Sequence, residues 1–149
     1  MKKVIIIFLF IISAAISKAQ NNSTDEKQAV IMLKTFYTAY MSEFSDNNIK
    51  HLEIQLSQLR KNYCTIKCEK EYKKLVDETD SDPIIKAQDS DAKWTKTLSV
   101  VRDPKNQNLY IVSYNNDEYG EDGKLHKQTT TSKLIVIKQN SSFKIDSIL

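Results

Sequence analysis

The chain is 149 residues long, 40% apolar and 28% charged, with two glycines, two prolines and two cysteines. That length suits one domain, and the balance excludes collagen-like, low-complexity and wholly disordered chains as well as cysteine-dense miniproteins. The formal charge of +3 looks mildly basic, but the lysines are unevenly placed.

Lys2 and Lys3 precede an apolar run from Val4 to Ile12, continued through Ala14, Ala15 and Ile16. Small residues Ser17 and Ala19 follow at the minus-three and minus-one positions of a cleavage site, the pattern of a secretory signal peptide cut after Ala19. A membrane anchor is the competing reading, but a run of about 13 residues is short of the ~20 that span a bilayer. No cysteine stands near the cut to accept a lipid. Residues 1–19 are therefore expected to be a signal and 20–149 a single periplasmic or extracellular domain with no stable membrane anchor. Removing the leader takes three lysines and no acid, so the 19 acidic residues are then matched by as many basic ones. A neutral domain without a basic face lacks the phosphate attraction that drives nucleic-acid binding, and nucleic acid is not an expected partner.

The spacing from Ser23 to Glu26 is that of a capping box and predicts a helix start. Val30, Leu33, Tyr37, Tyr40, Met41 and Phe44 then recur at three- and four-residue steps, widened by Ala29 and Phe36, giving a broadly apolar helical face. Ser45, Asp46, Asn47 and Asn48 suit a turn. Ile49, Leu52, Leu56, Leu59 and Tyr63 repeat the pattern on a second helix, and a shorter charged segment from Lys67 to Val76 offers Tyr72, Leu75 and Val76 to the core. Asp77 to Asp91 reads as an acidic connection holding one apolar patch, Ile84 and Ile85. From Trp94 onward β-formers dominate. Strands are expected at Leu98 to Val101, Leu109 to Tyr114, Thr129 to Ile137 and Phe143 to Leu149, with turn chemistry at Asp103 to Asn106 and at Gly120 and Gly123. Helices followed by an antiparallel meander make the expected class α+β, with N-terminal helices packed on a four-stranded sheet.

Cys64 and Cys68 lie where the second and third helical segments meet. In an oxidising compartment they are expected to form a structural disulfide, since Cα atoms four apart on a helix are about 6 Å apart, within bridging range. A redox pair normally has two intervening residues rather than three, and zinc would need further ligands. The acids Asp80, Asp82, Asp89 and Asp91 could suit calcium, but the glycine and bidentate Glu of an EF-hand loop are missing, and turn or cap roles fit better. No cofactor motif is present. Neither His51 nor His126 sits beside a nucleophile or carboxylate in any catalytic motif, and no glycine elbow or phosphate loop exists. Tyr37 and Tyr40, with Trp94 and Tyr110, could line a helix–sheet pocket, although aromatics at this spacing more often fill a core.

The segment Phe36-Tyr37-x-x-Tyr40, together with Asp82-Pro83-Ile84-Ile85-Lys86-Ala87-Gln88-Asp89 before the strands, resembles the domain-of-unknown-function family 3828 of small bacterial envelope proteins. The resemblance implies a cystatin-like fold of the nuclear-transport-factor-2-like type, in which a curved sheet wraps helices and leaves a cavity. It carries over no catalytic residues. Lacking a lipid-accepting cysteine, the chain departs from family members that are lipoproteins. Two functions follow as expectations. The favoured one is a non-enzymatic accessory, inhibitor or immunity-type protein that binds another envelope or secreted protein. The alternative is a small-molecule binder or enzyme using the helix–sheet cavity, with Tyr37, Tyr40, Gln88, Asp89 or Trp94 as pocket or loop anchors. Gln88 and Asp89 are expected to cap the first strand or tie the loop to a helix end.

Overall fold

The structure is a computed structural model that describes residues 2–45, 49–119 and 122–149, with side chains at 23–45, 51–117 and 122–149. The turn expected at Asp46, Asn47 and Asn48, Gly120 of the second hairpin turn, and the side chains of the expected signal peptide lie outside these ranges. The protein is α+β. Helices α1 (Lys2–Phe44), α2 (Ile49–Tyr63) and α3 (Ile66–Thr79) come first, then a 3-10 helix (Ala92–Thr97), then strands β1 (Ser99–Arg102), β2 (Leu109–Tyr119), β3 (Leu125–Gln139) and β4 (Ser142–Ile148). The sheet is an antiparallel meander in the order β1-β2-β3-β4. Among the described residues no helix is long and apolar enough to cross a membrane.

Helix α1 runs on through Ser23, so the capping box does not open it. No glycine or proline falls between Lys2 and Phe44 to break the ladder, and the polar stretch at Gln20 to Thr24 costs only tenths of a kcal/mol per residue, roughly. The apolar face is as spaced: Ala29, Leu33, Phe36, Tyr37, Tyr40 and Met41 are buried, with Val30 and Phe44 partly so. Phe36 gathers the neighbouring rings, with centroids 5.6 Å from Tyr37, 5.2 Å from Tyr40 and 5.3 Å from Tyr63. Ion pairs Asp25–Lys138 (2.7 Å) and Glu26–Arg102 (2.7 Å) tie the same helix to β3 and β1.

On the sheet, Tyr110, Val112, Tyr114 and Asn116 alternate inward on β2, and Ser132, Leu134 and Val136 do so on β3, the period-two pattern of a half-buried antiparallel sheet. Asp103 Oδ1 accepts the Lys105 and Asn106 amides (2.7 and 2.9 Å), closing the first hairpin turn as its residues suggest. Gly123 (φ 69°) and Asn140 (φ 58°) supply left-handed backbone in the other two connections. Trp94, expected where strand character begins, sits instead on the 3-10 helix, whose cap Asp91 accepts the Lys93 amide at 2.8 Å.

The junction of α2 and α3 leans on β4. Thr65 donates its amide to the Ile145 carbonyl (2.8 Å) and its hydroxyl to Asp146 (3.0 Å), and it caps α3 by accepting the Cys68 amide at 3.2 Å. The pairing of β3 with β4 shifts register between Ile135 and Val136, leaving Asp146 without a partner in the ladder and available to Thr65 and Lys67. Here one expectation is corrected: Cys64 and Cys68 are free thiols, both buried, and not a disulfide. Each is fixed by its own element, Cys64 through its amide on the Arg60 carbonyl at the end of α2 and Cys68 in the capped first turn of α3. Their side chains hydrogen-bond instead, and that contact, reinforced by burial, pushes the Cys64 thiol far above its usual range. Thiolate is the reactive form. Alkylation of the native protein should therefore leave both cysteines unmodified and should label both after unfolding without reductant; absence of label in the unfolded, unreduced protein would show a bonded pair.

Candidate functional site

The connection between α3 and the 3-10 helix passes through the interior. Asp82, Pro83, Ile84 and Ile85 are all buried, although they belong to no helix or strand. Asp82 is 6% exposed, and its Oδ1 accepts the amides of Ile84 (2.8 Å) and Ile85 (3.1 Å), an Asx-type turn in which Pro83 has no N–H to satisfy. Its Oδ2 accepts the hydroxyls of Tyr40 (2.7 Å) from α1 and Tyr72 (2.8 Å) from α3. The carbonyl of Ile84 accepts Tyr37 Oη (3.0 Å) and Ser132 Oγ (3.1 Å), and that of Ile85 accepts Tyr114 Oη. Asp82 also donates its amide to the Ala87 carbonyl at 3.0 Å, closing the loop across Lys86, whose φ is 48°.

Arg60 completes the cluster from α2. It is 2% exposed and holds no direct bond to Asp82. Its Nη1 donates to Tyr40 Oη at 3.0 Å, so that hydroxyl bridges the guanidinium and the carboxylate. Its Nη2 donates to Glu53 at 2.6 Å, its Nε stands 3.3 Å from Glu69 Oε1, too far off the N–H axis for a hydrogen bond, and its guanidinium lies 4.0 Å from the centre of the Tyr72 ring. The charge is thus compensated by two carboxylates and a ring face, as a buried cation requires.

Electrostatics fix the protonation of the tyrosines. Burial, and then the Asp82 charge, raise the pKa values of Tyr40 and Tyr72 well above the ordinary phenol range, and burial does the same for Tyr37 and Tyr114. All four remain donors near neutral pH. Beside this network a cleft of about 370 Å³ opens, with Phe44, Leu52, Leu56 and Val76 as an apolar wall and Glu53, Tyr72, Asp80, Ser81, Asp82 and Gln88 as polar rim and floor. No histidine or cysteine lines it. The polar groups at its floor already have partners within the protein, so the cleft offers shape and an acidic rim more than a reactive group.

The expected anchors separate in space. Tyr37 and Tyr40 are wholly buried and serve the loop. Gln88 is exposed at the cleft and donates to the Asp80 carbonyl (3.3 Å), joining the loop to the end of α3. Asp89 is exposed and, among the described residues, caps neither β1 nor a helix end; the nearby carboxylates that accept amides are Asp82, within the loop, and Asp91, at the 3-10 helix. Trp94 lies apart from this cleft, 6% exposed, stacked on Tyr114 with ring centres 5.6 Å apart. His51 is exposed on α2. Of the acids weighed as calcium ligands, Asp82 turns inward to tyrosines and amides, and the described residues contain no group of acids, histidines and cysteines arranged to hold a metal. Asp82, Arg60 and Tyr72 were not singled out by the sequence as a site. The available signals were Asp82 directly before Pro-Ile-Ile and Arg60 continuing the four-residue step of Leu52 and Leu56.

A solved structure shares this architecture: a protein of unknown function from Bacteroides thetaiotaomicron, 27% identical, matches 91% of this chain and 98% of its own with a TM-score of 0.79. No protein-family model and no curated protein matches the chain.

Replacing Asp82 by Ala would strand two buried phenol hydroxyls and two amides, at a cost of about 3 kcal/mol, seen as a fall in melting temperature of roughly 10 °C. Alkaline titration supplies an independent check. Tyrosines held neutral in the fold but free to ionise near pH 10 when unfolded contribute stability that is intact below about pH 10 and declines as pH rises beyond it. Phenolate absorbance from Tyr37, Tyr40, Tyr72 and Tyr114 should then appear together with loss of secondary structure, not before it.

Proposed function

We propose that this chain is a secreted or periplasmic, non-enzymatic binding protein of the bacterial envelope, acting on another envelope or secreted protein as an accessory, inhibitor or immunity-type component. The observation that carries the reading is the cleft between α2, α3 and the Ser81–Gln88 loop, where an apolar wall stands against an acidic rim and the floor groups are already bonded inside the fold. A surface of that kind recognises. It fits an apolar partner side chain ending in a cation, with Glu53 and Asp80 as the receiving charges. The basic-then-apolar leader and its small-residue end support the compartment, with cleavage after Ala19. The finer fold reading, a cystatin-like domain of the nuclear-transport-factor-2-like type related to family 3828, belongs to the same proposal. It is supported by the order of helices and meander and by the two resembling segments, Phe36 to Tyr40 and Asp82 to Asp89.

A second reading has one observation in its favour: about 370 Å³ is also room for a small molecule. The two are separated by capture from the native envelope with the wild-type domain and with Leu52→Lys, which places a charge on the apolar wall. The protein-binding reading expects one specific partner with wild type and at least a tenfold loss with the variant at unchanged melting temperature, roughly the effect of one wall contact at an interface. Equal capture by both overturns it. A small molecule retained by the wild-type domain in native mass spectrometry favours the second reading. N-terminal sequencing of the exported protein should begin at Gln20.

A further inference from the structure

A second concavity, separate from the cleft and sharing none of its residues, lies where the 3-10 helix meets the hairpin of β2 and β3. It has a volume of about 310 Å³, and Lys93, Lys96 and Lys127 border it around Trp94, together with Thr97, Asn115 and one carboxylate, Asp117. Lys93 is already engaged, 2.9 Å from Asp117 and 3.0 Å from Asp91. Lys96 and Lys127 have no ion pair among the described residues, and with Asp117 paired to Lys93 they leave the lining net positive. Thr97 is spent on the fold: its hydroxyl donates to the Trp94 carbonyl (3.0 Å) and accepts the Asn115 amide (2.9 Å). Asn115 Oδ1 accepts from Thr129 at 3.0 Å, which leaves its side-chain NH₂ as a donor. The second observation concerns the wall itself. The indole Nε1–H of Trp94 is buried and has no acceptor, in a residue only 6% exposed. An unmet buried donor is costly in a native fold and calls for an explanation.

We propose that this pocket is an anion-binding site for a small oxyanion-bearing molecule, a carboxylate or a phosphate, with Lys96 and Lys127 supplying charge and the Trp94 indole and the Asn115 amide supplying directed hydrogen bonds. Asp117, the one carboxylate in the lining, is taken up by Lys93 at 2.9 Å, and the remaining unpaired groups, Lys96, Lys127, the Asn115 amide and the Trp94 indole, are donors that an oxyanion would satisfy. Aromatic stacking of Trp94 on Tyr114, nearly parallel at 16°, fixes the indole before any ligand arrives, so little ordering is needed on binding. Lys93 is a positioning residue here, pairing with Asp117 inside the pocket and offsetting its charge.

Trp94 is the single tryptophan in the chain, so its fluorescence reports on this pocket directly. The wild-type protein is titrated separately with inorganic phosphate and with succinate at constant ionic strength. The expected result is a saturable change in emission with one of them, which also tells phosphate from carboxylate. The double variant Lys96→Gln/Lys127→Gln alters exposed side chains only and should melt like wild type. Its affinity should fall at least tenfold, and raising salt should weaken wild-type binding. In calorimetry Trp94→Phe, which keeps a ring on Tyr114 and removes the indole donor, should bind roughly tenfold more weakly. A non-saturating response to both anions overturns the proposal, as does saturable binding that the lysine variant leaves unchanged.

Discussion

Between α3 and the sheet the chain takes an unusual route: Asp82 to Ile85 crosses the interior as irregular backbone, where no ladder exists to bond its peptide groups. Each must find a partner or cost roughly 1–3 kcal/mol. The solution is distributed over the whole fold. Tyr37 and Tyr40 come from α1, Tyr72 from α3, Tyr114 from β2 and Ser132 from β3, and all five point a hydroxyl at this segment. Because the donors arrive from four elements, two helices and two strands, the loop cannot be seated until the helices have docked on the sheet. Its seating in turn fixes their relative positions. The two isoleucines contribute the apolar half of the same act, filling the space between α1 and the sheet while their carbonyls are held.

The choice of tyrosine follows from that geometry. A phenol delivers a neutral donor some distance from the backbone and brings a large apolar ring with it, so it fills a core and satisfies a carbonyl at once. Neutral donors suffice for the carbonyls. The one charge in the loop, Asp82, draws four donors, and its counterion Arg60 reaches it through Tyr40 and not by contact. Separating the two charges by a hydroxyl lets each keep its other contacts: Arg60 retains its bond to Glu53, the nearby Glu69 charge and the Tyr72 face, while Asp82 retains its amides. A direct pair would have displaced some of these bonds, and buried ion pairs with unmet neighbours are poor sources of stability.

How much of this the amino-acid sequence discloses depends on the range of the interaction. Period is local, so the helical stripe from Ala29 to Phe44, the second helix and the cores of the four strands could be read, whereas the polar outer part of the β2–β3 hairpin, Asn115 to Tyr119 and Leu125 to Gln128, was not. Turn chemistry is local too, and Asp103 and Gly123 fulfil it. Which of the six acids between Asp77 and Asp91 turns inward is decided by tyrosines 10 and 42 residues away from Asp82, and no spacing rule reports that. The continuous α1 and the free thiols are failures of a different kind. A capping box states only that a helix is able to start, and cysteine spacing states only that a bridge is within reach; in both cases the neighbouring elements decide. It is telling that the two segments on which the family resemblance rests, Phe36 to Tyr40 and Asp82 to Asp89, are the two sides of the same contact. A motif of that sort marks a fold constraint, which explains why it carries no chemistry of its own.

The same loop gives both concave surfaces a rigid wall. Ser81, Asp82 and Gln88 border the acidic cleft on one side. On the other, Ile85 is held by the hydroxyl of Tyr114, whose ring is the platform under Trp94 in the basic pocket. The acidic cleft is built partly on irregular backbone, the basic pocket on the 3-10 helix and the β2–β3 hairpin. Binding sites usually sit on loops because loops vary freely, and the cost is that loops must be ordered on binding. Here the ordering is done during folding, by burying the loop and bonding its carbonyls to tyrosines. What remains for a ligand to supply is complementary charge, and the two surfaces differ in sign: carboxylates border the first, and in the second three lysines outnumber the single carboxylate, Asp117. Among the described residues the fold thus presents two concave surfaces of opposite sign, one bordered by Glu53 and Asp80 and the other by Lys96 and Lys127, each resting on side chains whose positions the interior network fixes.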